Sequence, residues 1–405
     1  MRSRRLAGVG VAAAAAALAL AACSSSASSS SPSAAPSSSA PAASAGAASA
    51  SAASTASAGT DGSAVSASAL AAAQATVKSA STVPTGIPET QQLSSPPPKG
   101  KTVLFMQCEE VECSYEGTGM KAAAAAIGWN VKILNYQAAN PATLVTALQT
   151  GLQYHPVAAF FSGVPQEAWA SEQKPYAAAG AYLVDTFLPA VPTGAAIAPG
   201  RAYGADMTAL GTVLADEQIA DSGGAPADSL LVNVPTYPVF GPLVTAYDAV
   251  IAKDCPTCQV TDVNVTLPQM LAGGLNQAVV SAAKRDSGVK YIVSTNGSFT
   301  DTLPEALKAA GLAGQVKLIS GQGVSLDQQN VLNGSQLATV SSPLTLSGWQ
   351  DVDIAIRLVL HQPIPAGDGV VPWVLLTKSN IGAPSDSYDR PADYPAQFEK
   401  LWDVG

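Results

Sequence analysis

The sequence predicts an α/β fold of two doubly wound parallel-sheet lobes, preceded by a signal peptide and a disordered stalk. Three observations carry this. From Lys101 onward, short runs rich in β-branched and aromatic residues alternate with longer runs at helical spacing, which is the pattern of βαβ units. After the strand at 181–184 the alternation starts again with the helical run from Asp206. The part of the chain that carries it, roughly 300 residues, is apolar-rich with Gly and Pro punctuation, long enough for two cores.

In the first half, residues 102–106 (TVLFM) read as a buried strand, 117–127 as a small-residue helix, and 130–135 as a strand. Residues 141–153 read as a helix opened by Asn140, followed by strands at 157–161 and 181–184. In the second half the expected helices are 206–222, 240–252, 269–284 and 303–310. The strands between them are 229–234, 259–265, 289–294 and 316–320. Helices on both faces of a parallel sheet follow from this order, once per half.

Ahead of the fold, Arg2, Arg4 and Arg5 precede an uncharged run of mostly Ala, Val and Leu, so residues 1–22 read as a signal peptide. The run is too short and too alanine-rich for a spanning helix. Leu20-Ala21-Ala22-Cys23 resembles the bacterial lipobox, in which the cysteine is acylated, with palmitate among the acyl groups, and the chain is cut just before it. That implies a lipoprotein held by its lipid on the extracytoplasmic face of the bacterial cell membrane, with Cys23 removed from any redox or metal chemistry. Residues 23–98 are dominated by Ser, Ala, Pro and Thr and read as a flexible stalk. As a coil of roughly 75 residues it would span about 45 to 50 Å. Residues 67–77 suit a nascent alanine helix, with nothing in the sequence to hold it.

The formal net charge is −9, and the leader takes three arginines with it, so the mature surface does not suit nucleic acid or anionic lipid. Beyond Cys23 the cysteines form two close pairs, Cys108 with Cys113 and Cys255 with Cys258, which in an oxidising compartment read as two local disulfides. Such short loops contribute only about 2 kcal/mol each. Cys255-Pro-Thr-Cys258 lacks the setting of a thioredoxin-like motif, and a zinc site would need two distant loops to meet. No cofactor and no metal is expected.

The stretch 117–163, "GTGMKAAAAAIGWNVKILNYQAANPATLVTALQTGLQYHPVAAFFSG", is similar to the first lobe of type I periplasmic solute-binding proteins, the ribose-binding group especially. The shared features are the small-residue helix, the Gly128-Trp129 turn, Asn140-Pro141, and a strand ending near Ser162. Further on, "YLVDTF" resembles the strand that delivers a binding Asp, and "YIVSTNGS" the strand that delivers an Asn. "LATVSSPLTLSGWQDVDIAIRLVL" resembles the return crossing and its helix. The resemblance implies discontinuous lobes: 101–199 with 343–373, and 200–342 with 374–381, leaving 382–405 as a C-terminal tail. Its three hinge crossings would lie near Pro199, Ser342-Pro343 and Trp373–Thr377. It also implies an ABC-importer substrate-binding protein: a monomer, not an enzyme, that captures a small solute by lobe closure and delivers it to a membrane permease.

Ligands in such sheets sit at the carboxyl ends of strands. Gln107 and Glu109 lie in the polar loop after the first strand, and Asp185 and Thr186 end an apolar one, where a charge needs a partner. By the resemblance Asp185 and Asn296 are binding residues and Ser342 a hinge contact. The family's Gly-aromatic-Asp appears here as Ser320-Gly-Gln-Gly323, which puts Gln322 in the set. Tyr237 and Phe240 are candidate aromatic platforms that core packing would equally explain, and for Trp349 core packing is the better reading than a place in the cleft. The family's lobe-two Arg has no counterpart in "PTYPVFGPL", and its first-loop Asn-aromatic contact is replaced by the cysteine-bracketed loop. The lack of Lys or Arg in the set disfavours an anionic ligand, leaving a neutral sugar-like solute or an amine-bearing, amino-acid-like one facing Asp185 or Glu109. The rival readings are a sensor lipoprotein that signals to a membrane partner, and an enzyme. Against the enzyme, the only histidines are His155 and His361, and no nucleophile-elbow, zinc-peptidase or phosphate-loop motif occurs.

Overall fold

The computed structural model describes residues 65–385 and 387–404. The expected signal peptide, Cys23 and the first part of the stalk lie outside the described residues.

In chain order the elements are α1 (Ala67–Ala80), β1 (Thr102–Gln107), α2 (Val111–Ala126), β2 (Asn130–Asn135), α3 (Ala142–Gly151), β3 (Ala158–Ser162), α4 (Gln173–Ala179) and β4 (Tyr182–Thr186). Then come α5 (Gly204–Asp221), β5 (Asp228–Asn233), α6 (Gly241–Asp254), β6 (Val260–Asn264), α7 (Leu267–Leu271), α8 (Leu275–Arg285), β7 (Val289–Ser294), α9 (Leu303–Ala309) and β8 (Lys317–Gly323). The last are α10 (Ser325–Asn333), β9 (Ala338–Ser341), α11 (Leu344–Val359), β10 (Leu375–Thr377) and α12 (Tyr394–Leu401).

The strands form two sheets, β2-β1-β3-β4 and β10-β9-β8-β7-β5-β6, parallel throughout except that β10 runs antiparallel to β9. In β1 the residues from Val103 to Met106 are buried on both faces, as a central parallel strand requires. The order of winding reverses beside β1 in one sheet and beside β5 in the other, so the carboxyl ends of β1, β3, β5 and β7 mark where a crevice opens. The two doubly wound lobes are therefore as expected.

In lobe one α2 lies against α11 at backbone contact. A Cβ on Gly119 would meet the Thr345 carbonyl oxygen at 2.0 Å, and one on Gly348 would meet the Glu116 carbonyl oxygen at 2.4 Å. Only glycine allows the two helices to approach so closely. Helix α11 is buried almost all round, with Gln350, Asp351, Asp353 and Arg357 inside.

Several expectations need correction. Residues 65–98 are not stalk. Leu70, Ala73 and Val77 recur on one face of α1 and pack with Leu210 and Leu214 of α5 in lobe two, and Ser66 caps the helix through the Ala69 amide. The following segment then runs onto lobe one, where Glu89 accepts from Gln350 and Gly369, the Gln91 carbonyl accepts from Arg357, and Leu93 is buried. Its polar composition hid backbone groups that helix α11 satisfies. The described part of the expected tail, 382–385 and 387–404, is likewise folded. Asp389 accepts from the Leu346 amide and Thr345 hydroxyl at the start of α11, and Phe398 and Trp402, one helical turn apart, enter the lobe-one core. Two passages between the lobes, one at each end of the described chain, thus join the three expected. Helix α2 begins at Val111 rather than Gly117, and the expected helix 269–284 is split into α7 and α8 at Gly273, whose φ is +76°.

Candidate functional site

The lobes close over a cavity of about 120 Å³ that takes its walls from both. Lobe one supplies the start of α2 (Glu110, Glu112, Glu116), and the Cys108–Cys113 disulfide ties that turn back to the end of β1. Lobe two supplies the loops after β5, β7 and β8. There Tyr237 stacks on Phe299 at 5.9 Å and Phe240 meets Phe299 edge-on at 5.8 Å, giving an apolar wall. Trp373, at the passage back into lobe two, also lines the space.

The lobes touch directly. The Tyr237 hydroxyl donates to Glu110 Oε1 at 2.9 Å, a bond from the loop after β5 to the start of α2. Burial pushes the Glu110 carboxyl up, and this hydrogen bond only partly offsets it. Glu112 faces Asn296 and Ser298 across the gap. Burial raises its carboxyl too, and although those two groups draw it down somewhat, neither of its shielded oxygens makes a hydrogen bond of acceptable geometry. Behind the cavity Arg201 is held between Asp351, at 2.9 Å, and Glu116, with its guanidinium over the Phe187 ring. On the lobe-two side, burial and neighbouring Asp327 lift Asp301 to about 7.

Two cavity residues carry left-handed backbone, Phe187 at φ 56° and Gln322 at φ 46°. Gln322 sits where the pairing of β8 with β9 slips between Ser320 and Gly323, and its side-chain amide is buried with Nε2 unpartnered. Such strain persists only where surrounding structure over-determines it, and it gathers at ligand sites.

Of the residues named from sequence, Tyr237, Phe240, Asn296, Gln322 and Ser342 line this cavity. Asn296 lies in the turn after β7, donating to Gln322 Oε1 at 3.3 Å and accepting from the Ser298 amide and hydroxyl. Asp185, Thr186, Gln107 and Glu109 are placed elsewhere. On β4 the alternation that sends Val184 to one core sends Leu183 to the other, and Asp185, on that second side, is fully buried beneath Trp169, whose Nε1 donates to it at 3.2 Å. Burial holds its carboxyl well above the usual range. Thr186 shares a hydrogen bond with Ser162, and Gln107 is half-buried beside Gly117. Glu109 is exposed and caps the Ala138 amide at 2.9 Å. Trp349 stacks on Trp402 in the lobe-one core. Sequence reading missed Glu110, Glu112 and Phe299. The acidic pair fell in a stretch read as loop, and Phe299 has no alternation to mark it.

Cys255 and Cys258 pair at the end of α6, with the Cys258 sulfur accepting from the Ala227 amide, away from the cavity. Among the described residues no group of three or more His, Cys, Asp or Glu is placed to hold a metal ion, and no helix is long and apolar enough to cross a membrane.

No family model and no curated protein matches the sequence. Solved structures do match. An ABC sugar transporter subunit from Rhodobacter sphaeroides is 18% identical with a TM-score of 0.57, covering 70% of this chain and 99% of its own. The 5-methylthioribose transporter solute-binding protein of Thermotoga lettingae, solved with 5-methylthioribose, is 17% identical with a TM-score of 0.60 over 77% of this chain and 100% of its own. An ABC transporter solute-binding protein from Agrobacterium vitis, solved with allitol, is 18% identical with a TM-score of 0.59 over 70% and 97%. The chain has the fold of these proteins, the two-lobed type I periplasmic-binding-protein architecture.

Proposed function

We propose that this protein is a lipid-anchored, extracytoplasmic solute-binding receptor that captures a small polar, hydroxyl-bearing solute by closing its lobes and delivers it to the permease of an ABC importer. The observation that carries the reading is the cavity itself: its acidic wall comes from lobe one and its aromatic and amide wall from lobe two, so neither lobe alone offers a site. The Tyr237–Glu110 bond across the gap is the kind of contact that opening would break. Sugar-transporter binding proteins among the structures of like fold support the same class of ligand. The receptor works as a monomer and by binding alone, without covalent chemistry or a cofactor.

A thermal-shift screen of the full chain against sugars, polyols, amino acids and nucleosides tests this. A ligand that binds only the folded clamp raises the melting point by mass action, and small-angle scattering in its presence should show compaction. A screen in which no solute raises the melting point or changes the scattering refutes the reading. Anchoring is tested by Cys23→Ala, which should move the protein from the membrane fraction to the soluble one with unchanged ligand affinity.

A further inference from the structure

We infer that the solute carries a cationic amine, and that Glu112 is its anchor. The inference rests on the solute-binding reading and narrows it, and the cavity's unequal charge accounting carries it. Of the carboxylates that reach the cavity, Glu110 accepts from Tyr237 and Glu116 is paired with Arg201. Glu112 has no such partner: both of its oxygens are shut away from solvent and neither accepts a hydrogen bond.

The Ser298 and Asn296 side chains that face it draw its carboxyl down only in part, because the bonds of good geometry they make go elsewhere. Ser298 gives its amide and its hydroxyl to Asn296 Oδ1, each at 2.9 Å, and Asn296 gives its own amide to Gln322. Among the described residues that line the cavity there is no Lys, Arg or His. Asp327 and Asp301, packed behind that wall, add repulsion to a negative charge on Glu112. These surroundings favour the neutral carboxyl, and the charged form is drawn out by a positive charge that the ligand brings. A protonated amine does this directly, with three donors for the two free oxygens. The Tyr237 and Phe299 rings beside the site add attraction for a cation.

Elsewhere on the cavity wall two donors are unpartnered: Gln322 Nε2 and Trp373 Nε1 both lack an acceptor. The cavity therefore asks for an ammonium together with hydroxyl or carbonyl oxygens. An amino sugar or amino polyol has that layout, and a neutral sugar lacks the ammonium.

The test compares matched probes on the full chain by calorimetry: glucosamine with glucose, and 3-amino-1,2-propanediol with glycerol. In at least one pair the amine member should bind roughly tenfold or more tighter than its hydroxyl partner, as a charge-assisted bond to a buried carboxylate warrants. Glu112→Gln keeps the shape and removes the charge. It should bring the two members of that pair to within about threefold of each other while leaving the apo melting point at or above that of the wild type. If no amine member binds tighter than its partner, or if the preference survives in Glu112→Gln, the inference is overturned. Neutral probes that still bind and compact the lobes would leave the receptor reading standing. If no solute of any class compacts them, the receptor reading falls and takes the inference with it.

Discussion

Replacing Arg201 with methionine should unfasten the first passage between the lobes. The guanidinium is fully buried, bonded through Nε to Asp351 at 2.9 Å and paired with Glu116, so the substitution strands two carboxyl groups that have no water to turn to. Breaking a buried ion pair by removing one partner costs about 3 to 5 kcal/mol. The lower end applies, because Asp351 is already pushed well up by burial and by Glu116, and can take a proton once Arg201 no longer pulls it down. About 3 kcal/mol corresponds to a fall of roughly 4 °C in melting temperature for a folded part of this size. The deficit depends on pH with a definite sign. A carboxyl whose folded pKa lies above its unfolded value contributes stability that is complete below the unfolded pKa and is lost as pH rises through the folded one. Removing Arg201 raises the folded value further, so the deficit should be largest near pH 8 and shrink towards about pH 5. Urea unfolding of wild type and Arg201→Met across that range measures it. The triple variant Arg201→Met with Glu116→Gln and Asp351→Asn should recover most of the loss, since replacing a whole buried ionic group is often neutral. A single-variant deficit under about 1 kcal/mol, or a triple variant no better than the single, refutes the reasoning.

Wild-type stability should itself fall from about pH 5.5 to pH 8, because Glu89, Glu217 and Asp301 are lifted to about 7 by burial and are more protonated in the folded state. For Glu89 alone the loss is about 2 kcal/mol, and Glu89→Gln should flatten the profile by that amount in denaturation at both pH values. Starting the chain at residue 99 should lower the melting temperature by about 5 °C or more, since α1 and the Glu89–Leu93 segment are packed; a stalk would leave it unmoved. Asn296→Ala should weaken binding of an identified solute roughly 5- to 150-fold by leaving buried partners unsatisfied, whereas Asp185→Asn, beneath Trp169, should leave affinity within about twofold in titration calorimetry. Peptide mapping without reductant should find Cys108 linked to Cys113 and Cys255 to Cys258, with no cross-pair between the loops.

What the sequence determined by itself is the part written in local periodicity. Runs such as 103–106 are apolar on both faces, as a strand buried in a parallel sheet is, and the alternation of such runs with helices allows little besides two doubly wound lobes. The aromatic and amide side of the cavity was legible by other means: Tyr237 from its loop after a lobe-two strand, and Asn296 and Gln322 from the resemblance to the strands of solute-binding proteins. Tertiary structure alone decided the rest. Whether α1 and residues 81–98 fold depended on partners far along the chain: helix α11 supplies the donors that fix Glu89 and Gln91, and no local pattern announces them. Asp185 stands at a strand end like the true wall residues, but the pleat turns it inward under Trp169, and a shift of one position in the strand would have reversed that. Glu112 looked like one more acid in a polar loop. It stands among the cavity's acids without a basic partner only because α2 starts at Val111 and brings it against a lobe-two wall that holds no cation.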